Sequence, residues 1–352
     1  MSTTNDFVLR ASDVTCTFRL GGRLFQRGNH EVQAVAGVSL EVRPGEAVGL
    51  VGESGCGKST IARAIVGLEP TTSGTIEVCG QDITTLPPRA RRDARRQVQL
   101  IFQDPYSSLN PDMTVRDLLC EGWRAHPGIL APSRWDGRVA ELLEMVGLSP
   151  RHADRKPREF SGGQLQRISI ARALSVEPRL LIADEAVSAL DVSVQAQVLN
   201  LLDDLRERLG LGILFISHDL SVVRHLCDRV AVMYLGKIVE SGKTADVFAE
   251  PSHPYTQMLL ESVPDLFPWE SGRQAARLPE TGELPSPIDP PSGCRFRTRC
   301  PLASDRCADQ VPPLEPIVGA PPAHQAACHF VEEARRGAWR RTSAEGAVTS
   351  AS

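Results

Sequence analysis

Eight consecutive residues, Gly52-Glu53-Ser54-Gly55-Cys56-Gly57-Lys58-Ser59, have the spacing of a loop that grips phosphate: two glycines five apart, then Lys and Ser. Glycines let the chain curl until successive N–H groups of Gly52, Glu53, Ser54, Gly55, Cys56, Gly57, Lys58, Ser59 and Thr60 point at phosphate oxygens. Lys58 can reach the β- and γ-phosphates, and the Ser59 hydroxyl can ligate Mg²⁺. A second group of chemistry-bearing residues follows an apolar run, Leu180 to Ala183, that ends in Asp184 and Glu185. Side chains alternate along a strand, so the two carboxylates can take different roles. Asp184 is expected to face Mg²⁺, and Glu185 to face a water that attacks the γ-phosphate. His218 follows another apolar run, Ile213 to Ser217, and is expected at the same edge, touching phosphate. Gln103 ends the run from Val98. Ser161 is a candidate helix cap before Gly162, Gly163 and Gln164, a helix start bare enough to suit an anion. Phe18 is either a core residue or a ring on which a nucleobase stacks; such stacking contributes roughly 1–3 kcal/mol per base.

The elements that must position these residues can be read from periodicity. Residues 7–51 alternate apolar and polar positions and predict strands over Phe7 to Cys16 and Ala34 to Val42, with a buried strand over Ala47 to Val51. Thr60 to Val66 reads as a helix closed by Gly67. A short strand is expected over Thr75 to Val78, and Arg89 to Arg96 reads as a solvated helix face. From 112 to 175 strands give way to helical periodicity, an all-α insertion. Ser193 to Leu209 is the next helix, and Val230 to Glu240 a hairpin ending the catalytic part near residue 250. The apolar runs ending in acids fit an α/β fold with a doubly wound parallel sheet and its ligands at the C-terminal strand edge. Pro264 to Pro291 reads as a linker, and the chain beyond 330 as disordered.

Composition narrows the function. The 352 residues are 41% hydrophobic and 23% charged, with a net charge of −4, so no polycationic surface points to nucleic acid. No run approaches the roughly 18 apolar residues of a membrane span. Met1 to Asp6 lack the basic and apolar regions of a secretory signal, which predicts a cytosolic chain. Nine cysteines in that compartment argue against a disulfide framework.

Taken together and in this order, 52–59, Gln103, Ser161 to Gln164, Asp184-Glu185, Ser188-Ala189-Leu190-Asp191 and His218 resemble the ATP-binding subunit of an ABC transporter over about residues 7–330. The resemblance implies an ABC-type nucleotide-binding domain with a RecA-like parallel sheet core, an antiparallel β subdomain and an α-helical insertion. It implies ATP and Mg²⁺, with Ser59, Gln103 and Asp184 around the metal, Gln103 sensing the γ-phosphate and His218 orienting the water. Ser161 to Gln164 would serve a nucleotide held by a second subunit, and Asp191 would lie along the dimer seam. Val51 to Thr60, Ile101 to Pro111 and His253-Pro254-Tyr255-Thr256 are similar to the oligopeptide/dipeptide importer branch, in its F-type ATPase. That implies a second homologous cassette, two membrane permeases, an extracytoplasmic solute-binding protein and a place on the cytoplasmic face of the inner membrane. Ala186 departs from the branch's usual Pro, and Leu165 from a common Arg. A soluble ABC-type ATPase uncoupled from transport is the alternative.

Cys294, Cys300, Cys307 and Cys328 crowd into the last sixth of the chain, with gaps of five, six and twenty residues. These gaps are wider than zinc-ribbon pairs, and four thiolates with Pro301 beside one of them suit an iron–sulfur cluster. The resemblance points to a [4Fe–4S] site in a small C-terminal extension over 251–330; zinc and unmetallated thiols are the other readings.

Overall fold

The structure is a computed structural model that describes residues 6–20, 30–262 and 285–337. Most of the expected linker and residues 338–352 of the expected disordered tail lie outside the described residues. Strands β1 (Leu9–Leu20) and β2 (His30–Val42) are longer than the periodicity predicts, because shifts in their antiparallel register interrupt the strict alternation. β3 (Ala47–Val51) leads into the phosphate loop and helix α1 (Lys58–Ile65). β4 (Ser73–Val78) and β5 (Gln81–Asp82) complete a four-stranded antiparallel sheet in the order β2-β1-β4-β5.

α2 (Pro88–Arg96) carries the basic run, and it is not only a solvated face. The Arg95 guanidinium donates to the Gly67 carbonyl, and Arg96 donates to the Val176 carbonyl at 3.1 Å. β6 (Val98–Ile101) is followed by the short α3 (Pro105–Ser108), capped by Asp104. The helical insertion then holds α4 (Val115–Ala125), α5 (Trp135–Met145) and α6 (Gly162–Leu174). Their apolar faces meet at Leu118, Leu119, Trp123, Leu142 and Leu143, all in the larger of two buried clusters. The Trp123 indole donates to the Ser175 carbonyl at 2.7 Å, which satisfies its buried N–H.

β7 (Leu180–Asp184), α7 (Val192–Leu209), β8 (Gly212–Ser217), α8 (Leu220–Leu226), β9 (Arg229–Tyr234), β10 (Lys237–Lys243), α9 (Thr244–Ala249) and α10 (Pro254–Glu261) follow in order. The larger sheet runs β11-β12-β10-β9-β3-β8-β7-β6, where β11 is Glu315–Pro316 and β12 is Gln325–Ala326. From β9 to β6 its neighbours are parallel. Every residue of β3, β7 and β8 is buried, as helix-covered parallel strands require. The register pairs Ile101 with Ala183, Asp184 with Ile216 and Val51 with Ser217. The strands therefore end level, and Gly52, Gln103, Glu185 and His218 all leave from one edge.

The C-terminal residues do not form a core apart from this sheet. β12 pairs antiparallel with β10, and the Ala327 N–H donates to Val239 at 2.8 Å. Beyond residue 330 the structure departs from the expectation of disorder. Val331–Arg335 is a helix whose buried Ala334 carbonyl accepts from Gln257 at 3.0 Å.

Candidate nucleotide site

The loop from Gly52 to Gly57 joins the C-terminal end of β3 to the N-terminus of α1. Gly57 caps that helix at φ 108, and a Cβ there would lie 2.1 Å from the Ala34 carbonyl. Only glycine meets both demands. Ser54 and Gly55 are exposed at the crest, while Cys56 is buried, with burial pushing its thiol up. The buried Lys58 ammonium donates to the carbonyls of Gly52 at 2.7 Å and Glu53 at 2.9 Å, so the cation sits inside the curl. Ser59 and Thr60 continue into the first turn of α1, half-buried.

Across the edge, the Ser59 hydroxyl donates to Asp184 Oδ1 at 3.0 Å. Asp184 is buried, and desolvation, with Glu185 next to it, raises its carboxyl above the ordinary range. A hydroxyl beside a buried carboxylate is a hard oxygen pair, and it fits Mg²⁺. A divalent cation would restore the charged form that burial disfavours.

Glu185 stands at φ 49, in the left-handed region that non-glycine residues rarely occupy, and its N–H is bonded to the Ile216 carbonyl. Strain of this kind collects at active sites. Its carboxylate is bracketed: Gln103 Nε2 donates to Oε2 at 2.9 Å, and His218 Nδ1 lies 3.5 Å from Oε1. Ser188 joins the group, 3.4 Å from Gln103 and donating to the Glu185 carbonyl at 3.0 Å. The two carboxylates separate because the chain turns at Glu185, just beyond β7, and not through strand alternation. Asp184 turns toward Ser59, and Glu185 toward Gln103 and His218.

Other expected residues stand elsewhere. Ser161 caps α6 and accepts from the Gln164 N–H, while Gln164 accepts from the Ser161 N–H, a reciprocal capping box. Gly162 lies near Tyr106 and Leu190, and Gly163 against Val194 on α7. Their contacts are with α3 and α7 and not with the phosphate loop of the same chain. Asp191 caps α7, accepting from Val194 N–H at 3.0 Å and from the Ser193 hydroxyl; the Val194 bond is the first cause holding its carboxyl low. Phe18 is half-buried on β1 and packs on the smaller buried cluster.

Two residues from distant parts of the chain hold the loop, and the sequence alone does not reveal either contact. Tyr255, at the start of α10, accepts the Glu53 N–H at 2.8 Å, and Arg299 forms a two-pronged ion pair with the Glu53 carboxylate at 2.8 and 3.0 Å. Tyr255 lay within a recognised motif without a stated role. Arg299 is one of three arginines on alternate positions, and nothing in that pattern singles it out.

The four-cysteine [4Fe–4S] site expected from the sequence finds no assembled metal site to support it. Among the described residues, no group of three or more His, Cys, Asp or Glu is arranged to hold a metal ion. The sulfurs of Cys294, Cys300, Cys307 and Cys328 lie within electrostatic reach of one another. Burial first, and the charge of neighbouring cysteines after it, push Cys300 and Cys328 up to about 12, which favours the thiol form of these two while no metal is bound.

The chain is similar to known proteins. Residues 35–188 match the ABC transporter family, and residues 239–307 match the oligopeptide/dipeptide transporter C-terminal region. The oligopeptide transport ATP-binding protein AppF of Bacillus subtilis is 49% identical over 92% of this chain and 97% of its own length. The chain belongs to the ABC transporter ATP-binding family. OppF of Salmonella typhimurium, also an oligopeptide transport ATP-binding protein, is 48% identical over 88% of this cassette and 92% of its own chain. The dimeric post-hydrolysis structure of the cassette MJ0796 bound to ADP and Pi matches with a TM-score of 0.59 and 28% identity, covering 67% of this chain and 98% of that one. CbiO1 of Clostridium perfringens, part of the cbiONQ transporter complex, matches at 0.59 and 27%, covering 70% and 92%. Among the described residues, no helix is long and apolar enough to cross a membrane.

Proposed function

We propose that this cassette is the ATP-hydrolysing, energy-coupling subunit of a peptide importer, peripheral on the cytoplasmic face of the inner membrane. The observation that carries the reading is the single sheet edge that holds Lys58 in the curled loop, Ser59 on Asp184, and Glu185 between Gln103 and His218. In this reading the loop N–H groups from Gly52 to Thr60 and the Lys58 ammonium hold the phosphates. Ser59, Asp184 and Gln103 hold Mg²⁺, which supplies charge neutralisation on the transferring phosphoryl group. Glu185 takes the proton of the attacking water, and His218 orients it. Phe18 offers its ring to the base.

Ser161 to Gln164 cap α6 and pack near Tyr106, Leu190 and Val194, and we assign them to a nucleotide on a second cassette, with Asp191 at the seam. The likeness to oligopeptide transport ATP-binding proteins supports peptides as the cargo class and two membrane permeases with a solute-binding protein as the rest of the machine. As the second cassette we propose a related but different chain. The proposed division is an ATPase domain over 1–250, with its helical insertion over 112–175, and an extension over 251–330. For the four cysteines we propose a [4Fe–4S] cluster. The Phe330 N–H lies 3.3 Å from the Cys328 sulfur, and N–H donors also face Cys294 and Cys300, which is how proteins stabilise thiolate ligands. Anaerobically purified protein should carry iron and acid-labile sulfide, lost in Cys300→Ser. One equivalent of zinc in their place would reverse the assignment.

The deciding experiment uses Glu185→Gln in the assembled transporter. Turnover should fall by roughly 10²–10⁴-fold while ATP binding persists, because the carboxylate acts on the water and not on the nucleotide. Unchanged turnover would remove Glu185 from the mechanism.

A further inference from the structure

The phosphate loop carries a carboxylate of its own. Glu53 is the second residue of the loop, and an anion there works against a triphosphate that the rest of the loop is built to attract. Its side chain is neither free nor solvated. Arg299 meets both carboxylate oxygens, at 2.8 and 3.0 Å, and the two side chains are only 9% and 21% exposed. A paired, desolvated guanidinium is the strongest neutralising partner available to a carboxylate. Arg299 comes from residues 246 positions further along the chain, so its place on the loop is a product of the tertiary fold.

That place is fixed independently. Phe296, on the same turn, packs edge-on against Tyr234 at 5.2 Å and beside Tyr255 at 5.5 Å. Arg295 donates to the Leu235 carbonyl and, at 2.8 Å, to Gln33 Oε1. Tyr255 in turn accepts the Glu53 N–H, so backbone and side chain of this one loop residue are both held from the C-terminal part of the molecule.

We propose that Arg299 is a positioning residue of the nucleotide site: it cancels the Glu53 charge and holds that carboxylate off the path of the incoming phosphates. The inference rests on the assignment of 52–59 as the nucleotide loop. It gives the C-terminal residues a direct hand in ATP affinity, separate from any metal they hold.

The test is ATP binding to the full chain by calorimetry, alongside steady-state turnover of the assembled transporter, for Arg299→Ala, Arg299→Lys, Glu53→Gln and the Glu53→Gln/Arg299→Ala pair. Arg299→Ala leaves the carboxylate unopposed and should weaken ATP about tenfold, raising KM while kcat stays within about twofold. Glu53→Gln leaves the guanidinium unopposed and should tighten ATP about threefold. The double variant should return to within about twofold of the parent, and Arg299→Lys should lie near it. All these shifts should shrink in high salt. A clamp that only staples the fold predicts losses in both single variants and no rescue; that pattern, or no change in either, overturns the proposal. Should Arg299→Ala fail to fold, Glu53→Gln decides alone, because tightening is required of it. Failure of the parent protein to bind ATP would instead refute the loop assignment itself.

Discussion

Asp184 and Glu185 are chemically near-identical neighbours that the backbone sends to different work. Asp184 is the last residue of a wholly buried strand, so it meets α1 and the Ser59 hydroxyl inside the protein, where its charge is disfavoured until a cation arrives. One residue later the chain turns through φ 49, and Glu185 emerges beside Gln103 and His218, within reach of solvent. Ala186, where the branch usually has Pro, stands directly after this turn. Ala186 is 2% exposed, packed beneath the turn, and places no ring against the backbone of Glu185. The other departure, Leu165, is fully buried in the insertion, where an apolar side chain suits its surroundings better than a guanidinium would. Neither change touches the bracket around the Glu185 carboxylate. Asp191, expected along the dimer seam, caps α7 through Oδ1, which accepts from both the Val194 N–H and the Ser193 hydroxyl.

At the scale of elements, the site depends on how closely α6 and α7 approach. Gly163 lies where a Cβ would come within 2.3 Å of Val194 Cγ1, on the first turn of α7 that Asp191 caps. Gly163→Ala should push the two helix starts apart and destabilise the protein by about 1–3 kcal/mol in urea unfolding. Val194→Ala in the same chain should recover most of that loss, since it removes the atom in the way. No recovery would mean that the helix starts are held by something other than this contact. Elements of this kind were largely legible in the sequence. The runs 180–183 and 213–216 are apolar without alternation because helices cover both faces of a parallel sheet, and the spaced glycines before Lys58 admit few other structures. What the sequence did not disclose was contact between distant segments. The two partners of Glu53 lie 202 and 246 positions away, and no local pattern encodes such a meeting. The basic run 89–96 hides its contacts for the same reason: Arg95 and Arg96 look like surface charge until the carbonyls of Gly67 and Val176 are placed beside them.

Across the whole molecule, the C-terminal residues are welded to the catalytic sheet around one buried carboxylate. Glu240, on β10, is wholly buried and accepts from the N–H groups of Ser252 at 2.8 Å and His253 at 2.9 Å, with His324 Nε2 2.8 Å away. His253 then starts α10, where its own Nδ1 accepts the Tyr255 N–H at 3.1 Å, and Tyr255 reaches the phosphate loop. Because that nitrogen must keep its lone pair, and because the ring is buried, His253 is held neutral, its pKa lowered from 6.5 to about 3 by desolvation. The unfolded chain takes up a proton below pH 6.5 that the native chain refuses, so stability from this residue is complete above that pH and drains away as pH falls toward 3. The slope is about 1.4 kcal/mol per pH unit, so moving from pH 7 to pH 5 should cost about 2 kcal/mol from His253 alone. Urea unfolding at a series of pH values measures it. His253→Asn keeps a capping oxygen without a titrating ring, and its stability should decline more gently over that interval by about the same amount. The rest of the chain is common to both proteins, so the comparison isolates this one ring. Parallel curves would show that the junction does not hold this imidazole neutral, and that acid reaches the catalytic sheet by another route.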